Sequence, residues 1–252
     1  MGSVTSAIVI AILFGSTLLG MLAARLLPEH HLSPATQSVV SVSMAVVGTL
    51  SALVLGLLIS AANTSFTTKT QEVKQISADI ILLDRLLWRY GPETQDLRVL
   101  LHRYTAAKLQ DLFPEDPTQP PNLANETTVS LLEELQNKIL ALTPAGATQQ
   151  WLQAQALQLT SRMEETRWLL VQESAIRTPL LLMVVMLFWF TIIFASFGLF
   201  APRNMTAIAV ILLCSIGVGS AIRVTTDLQT PFEGLIRISG APLADALEAT
   251  NR

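Results

Sequence analysis

The sequence predicts an all-α integral membrane protein: four transmembrane helices, with a helical cytoplasmic bundle between helices two and three. Three observations carry this. Of 252 residues, 51% are apolar and only 14% charged, with a mean hydropathy of +0.50, outside the range of a soluble globular domain. The apolar residues gather into four runs long enough to cross about 30 Å of hydrocarbon, which takes roughly 20 residues of helix. Between runs two and three the chain turns polar yet keeps a helical spacing of leucines.

The first run, Val4 to Leu27, has no basic residue ahead of it and outruns a signal-peptide core, so it reads as a retained span. The second is Val39 to Ala62 and the third Pro179 to Ala201. The fourth, Thr206 to Ile222, is short and needs little tilt, or Arg223 snorkelling to the interface. Lys69, Lys74, Arg162, Arg167, Arg177, Arg223 and Arg237 lie on one side, against Arg25 and Arg203 on the other. Positive charge is disfavoured on the translocated side, so both termini and residues 63–178 are expected in the cytoplasm.

The expected organisation is therefore helices one and two in residues 1–62, the bundle in 63–178, helices three and four in 179–223, and a cytoplasmic tail in 224–252. No breaker follows Ala62, and Ile76, Ile80, Leu83 and Leu87 recur at helical spacing, so span two continues as a polar helix until Gly91-Pro92 stops it. Further helices are expected over about Pro92–Leu112 and Thr127–Leu142, separated by the loop PEDPTQPP. Thr143-Pro144 offers a cap and first position for a long helix reaching span three, with Pro179 kinking the junction.

Several chemistries are excluded. A net charge of -3 and a pI near 5.6 leave no basic face for nucleic acid. No span has an ionisable residue in its interior, which argues against proton-coupled transport and intramembrane proteolysis. Ser51 and Ser60 have no histidine at membrane depth, and no phosphate loop or dinucleotide fingerprint is present, so no catalytic residue, cofactor or enzyme activity is expected. His30 and His31 sit with Glu29 in a Pro-flanked turn and make a poor metal site; the single cysteine, Cys214, lies in an apolar run.

Span two is the informative one. Gly48, Ala52, Gly56 and Ser60 fall four apart, a small-residue stripe that admits a close helix neighbour. Leu50, Val54, Leu57 and Leu58 are bulky and apolar. The stripe either packs within the subunit with the bulky side in lipid, or several copies surround an axis and form a hydrophobic constriction.

After the last span, Arg223 and Asp227 are spaced to pair, Pro231 ends the helix, Phe232 is an apolar anchor, and Gly234 permits a reversal that lets Leu235, Ile236 and Ile238 bury. Glu233 and Arg237 are expected in solvent, followed over Ser239 to Leu247 by a short capped helix starting near Pro242.

The segments LPEHHLSP, ALVLGLLISAANTSF, ADIILLDRLLWRYGPET and DLQTPFEGLIRISGAPL together resemble the bacterial membrane family labelled bestrophin-like, distantly similar to bestrophins. The resemblance implies a pentameric anion channel in the bacterial inner membrane, with four membrane helices per subunit and cytoplasmic termini. It implies that span two lines the pore, with Leu50, Val54 and Leu57 as neck candidates, and that Pro231-Phe232 matches the Pro-Phe after the last bestrophin span. The acidic run that clasps calcium in animal bestrophins is absent; only Asp227 and Glu233 are near. The other expectation is a non-conducting scaffold whose bundle binds a cytoplasmic protein.

Overall fold

The computed structural model describes all residues except Met1, 117–118, 176–179, Arg203, Glu233, Leu235 and Arg252. The kink expected at Pro179 and the burial expected of Leu235 lie outside the described residues, as do Arg177, Arg203 and Glu233. The helices are α1 (Gly2–Leu26), α2 (Pro34–Tyr90), α3 (Gln95–Leu112), α4 (Glu126–Leu140), α5 (Ala147–Ala175), α6 (Leu180–Phe200), α7 (Met205–Gln229) and α8 (Ala241–Ala249), with 3-10 turns at Glu29–Leu32 and Pro92–Thr94. Four of them, α1, α2, α6 and α7, are long and apolar enough to cross a membrane.

The chain divides into two compact units. The membrane unit holds α1, the start of α2 up to Thr64, α6 and α7. Its tightest contact joins α1 to α6. A Cβ on Gly20 would run into the Ala195 carbonyl oxygen, and one on Gly198 into that of Thr17. Glycine thus lets the two backbones meet, and the Thr17 hydroxyl donates across to the Phe194 carbonyl at 3.1 Å. Around this contact Leu13, Met186, Phe190, Ile193, Phe194 and Ile222 are buried. The fourth span proves longer than its apolar run: α7 is capped by Asn204, whose side chain accepts from the Ala207 N–H at 2.8 Å, and continues past Ile222 to Gln229.

The second unit contains the rest of α2 with α3, α4, α5 and α8. Here α2 buries Val73, Ile76, Ile80, Leu83 and Leu87 against Leu101, Tyr104, Leu135, Ile139 and Met163. The helix ends at Gly91, whose φ of 139° is open to glycine and costly for other residues. The Thr94 hydroxyl there donates to the Leu87 carbonyl at 2.5 Å. The start of α5 differs from expectation: it begins at Ala147 instead of Pro144. Gln149 explains the shift. Its Oε1 accepts from the Ala145 N–H at 2.8 Å and its Nε2 donates to the Tyr90 carbonyl at 2.9 Å, a reach-back from the first turn that resembles half of a capping box.

Candidate functional site

Within its own subunit, α2 packs its membrane half along one arc only. Met44, Val47, Val54, Leu55 and Leu58 lean on the membrane-unit core, and Ser51, fully buried, donates to the Val47 carbonyl at 2.8 Å. The opposite arc is bare: Val46, Leu50, Leu53 and Leu57 are 57, 48, 61 and 63% exposed. Of the neck candidates, Leu50 and Leu57 thus lie on the open face, while Val54 belongs to the packed one. The small-residue stripe divides too. Gly48 is half-buried, 4.0 Å from Ile193 at its virtual Cβ, whereas Ala52, Gly56 and Ser60 are exposed and a Cβ on Gly56 would meet nothing.

The open face carries no charge from Val39 to Ala62. Two of its hydroxyl protons are already used: Ser43 donates to Val39 O and Thr49 to Ala45 O, both at 2.9 Å. Such a surface offers an ion no charged ligand. It can close a water path by its apolarity or bury itself against another copy. Beside it, α2, α6 and α7 enclose an apolar groove of about 850 Å³ floored by Met44, Ala45, Phe197, Val210 and the exposed Cys214.

The tail residues separate between the units. Arg223 Nε stands 3.8 Å from Asp227 Oδ2, an ion pair too long for a hydrogen bond. Gly234 takes φ 88°, and a Cβ there would lie 3.1 Å from Asp227 Oδ1. Pro231 is buried and its carbonyl accepts from the Ile238 N–H at 2.7 Å. Phe232 is half-buried, edge-on to Phe113 with ring centroids 5.8 Å apart. Ile238 buries while Ile236 stays exposed, and α8 spans Ala241–Ala249, starting beside Pro242 as expected and running past Leu247.

The bundle holds charge inside. Arg98 grips Asp84 with both Nε and Nη2, at 2.7 and 3.1 Å, and both side chains are largely buried. Asp79 Oδ1 accepts from Gln75 at 3.0 Å and faces Arg162 at 3.5 Å. Its Oδ2 has no partner. Burial raises the carboxyl's pKa, against the lowering effect of Gln75 and Arg162. Burial also pushes Lys108 down to about 8 and Tyr104 up. His30 and His31 stack with ring centroids 4.0 Å apart. Among the described residues no group of three or more metal-ligating side chains forms.

Sequence reasoning missed Val46 and Leu53 on the open face. Their signal was rotational: taking buried Ser51 as the inward mark puts Leu53 near the centre of the opposite face at 100° per residue. It also missed Gly20 and Gly198, where the backbones actually meet; Thr17/Gly20 and Ala195/Gly198 are the matching small-residue pairs.

A family profile for the Bestrophin-like domain matches residues 11–243. The chain belongs to the Bestrophin-like family. No curated protein is significantly similar to it. Solved structures share its fold. A singly substituted bacterial bestrophin homologue from Klebsiella pneumoniae superposes with a TM-score of 0.70 at 13% identity, covering 98% of this chain and 100% of that one. A second variant of the Klebsiella homologue gives 0.69 at 14% identity, over 98% and 97%. The form solved by zinc phasing gives 0.66 at 15%, over 93% and 96%. At these identities the likeness concerns the fold: a bestrophin-type membrane protein, all-helical, with four apolar helices.

Proposed function

We propose that this bestrophin-like protein is a passive, anion-selective ion channel of the bacterial inner membrane, assembled from several copies, five by family resemblance, with both termini in the cytoplasm. The observation that carries it is the open, charge-free face of α2. Four large aliphatic side chains stand exposed on a helix whose other face is committed to its own subunit. Copies arranged around an axis would gather Leu50, Leu53 and Leu57 into a hydrophobic neck, a constriction that conducts only when wetted. Val54 supports that wall from behind. The small residues Ala52, Gly56 and Ser60, at the flank of the same face, leave room for the adjacent copy.

The test is chloride flux in liposomes, paired with the mass of the detergent-solubilised oligomer. Leu53→Ala and Leu57→Ala are expected to raise flux at least about tenfold, since shortening aliphatic side chains widens the neck and weakens its dewetting. A monomer, or liposomes silent to chloride in wild type and in both variants, would sink the channel reading.

One observation favours the scaffold reading as second: Trp88 and Trp151 stand 67 and 55% exposed on the bundle, and tryptophan is enriched at protein interfaces. Cross-linking of the full-length protein in its native membrane separates the two. Adducts at Trp88 and Trp151 formed only with further copies support assembly, and adducts with another protein support a scaffold.

A further inference from the structure

The bundle contains a cavity for which a hydrophobic neck has no use. It measures about 400 Å³ and is bordered by Asp84, Arg85 and Trp88 of α2, Arg98 of α3, and Asp245 and Glu248 of α8, all in one unit. Pockets for small metabolites start at roughly 300 Å³. The local sequence explains why three helices converge here. The chain leaves α2 at Gly91 and turns through Pro92–Thr94 into α3, which brings Arg98 back against Asp84. Helix α8 docks by burying Leu243 and Ala246 in the bundle core, so Asp245 and Glu248, three apart, border the cavity from the adjoining face.

The lining divides into a satisfied floor and an open rim. Arg98 donates to both carboxylate oxygens of Asp84, and both side chains are largely buried, so this pair is fixed and has its partners. Arg85 and Asp245 are exposed and opposite in charge, and among the described residues neither takes part in an ion pair. Trp88 presents an indole to the same cavity and is 67% exposed, a large apolar area left to water. A simple cation would suit Trp88 and Asp245 but meet the charge of Arg85. A simple anion would suit Arg85 but meet Asp245 and Glu248. A ligand that carries both charges is matched at both ends, and an apolar body covers the indole.

We propose that this cavity binds a small organic zwitterion of the free amino-acid class with an apolar side chain. Its carboxylate accepts from Arg85, its ammonium donates to Asp245, and its side chain lies against Trp88. The site belongs to the bundle unit and stands whether or not the chain conducts.

The experiment is titration calorimetry of the full-length protein in detergent at neutral pH, with L-phenylalanine and L-leucine as probes. N-acetyl-L-phenylalanine, which keeps only the carboxylate, and L-phenylalanine methyl ester, which keeps only the ammonium, serve as blocked forms. Free phenylalanine is expected to bind saturably and at least about tenfold more tightly than either blocked form, since each block leaves one charged group of the cavity without its partner. Arg85→Gln should erase the preference over the methyl ester, and Asp245→Asn the preference over the N-acetyl form. Trp88→Ala should weaken phenylalanine binding about tenfold. All three residues are exposed, so the variants are expected to fold as wild type does. No saturable binding of phenylalanine or leucine up to about 10 mM, a blocked form that binds as tightly as the free amino acid, or preferences unchanged in the Arg85 and Asp245 variants would each overturn the assignment.

Discussion

The two halves of α2 invert the usual relation between polarity and burial. From Val39 to Ala62 the helix carries no charge, yet among its residues only Ser51 and Ala62 are fully enclosed by their own subunit. From Lys69 to Tyr90 it is rich in charge, and Lys69, Glu72, Asp79 and Asp84 are buried alongside Val73, Ile76, Ile80 and Leu83. The reason lies in what surrounds each half. Lipid solvates an apolar face as well as protein does, so the first half has no need of cover from its own chain. Water does not, so the second half must bury its aliphatic stripe, and the polar residues that flank that stripe are enclosed with it. Exposure thus means different things along one helix: a surface reserved for lipid, pore or another copy in the membrane, and in the bundle a surface that is hydrated unless a partner covers it, as at Trp88.

The sharpest way to break this comparison is to truncate one leucine in each half. Leu83 is fully buried in the bundle core, and Leu83→Ala is expected to cost about 2–5 kcal/mol through lost burial and the cavity left behind. Leu53→Ala removes the same atoms from the open face and should change stability by no more than about 0.5 kcal/mol, while raising flux. Thermal melting in detergent of both variants decides it. Equal losses would mean that the open face is in truth a packed one, covered by another copy in the solubilised protein.

A second, smaller effect separates the units by pH. Lys108 titrates at about 8 when folded and 10.5 when unfolded, because burial disfavours its cation. Below about pH 8 it is charged in both states and its penalty is constant. Between about 8 and 10.5 the unfolded state holds the extra proton, so stability rises with pH, by a total on the order of 1–3 kcal/mol. The rise should be clearest up to about pH 10, above which unfolded tyrosines ionise and oppose it. In Lys108→Met the rise should be gone and the melting point at pH 7 higher than in wild type. Should wild type and variant show parallel pH profiles, Lys108 does not carry its charge into the core.

Much of this fold is legible in the sequence because its strongest signals are local. The four apolar runs, the unbroken passage from Ala62 toward Tyr90, and the Gly91-Pro92 stop each rest on composition or on one dipeptide. The start of α5 was not legible. Thr143-Pro144 looks like a helix start, and only a contact across the bundle, Gln149 to the Tyr90 carbonyl, explains why the helix begins later. The same limit governs the candidate site. The apolarity of span two and its small residues can be read directly, but which face is open depends on where α1, α6 and α7 lie, and Val54 fell on the packed side for that reason. Lys108 looks like a surface cation in the sequence, and only the assembled bundle buries it.

The smallest expected effect tests the turn at the end of the membrane unit. Gly234 holds φ 88°, where a side chain strains the backbone, and its virtual Cβ lies 3.1 Å from Asp227 Oδ1. The contact is tighter than ordinary, but the carboxylate can give, since its link to Arg223 is a loose 3.8 Å. Gly234→Ala should therefore cost about 1–2 kcal/mol, the expense of a left-handed alanine and little more. Asp227→Ala combined with Gly234→Ala separates the two sources: removing the carboxylate relieves the crowding and leaves the backbone strain. If the double variant recovers wild-type melting, crowding was the whole effect; if it melts with the single glycine variant, the positive φ alone sets the demand for glycine at this turn.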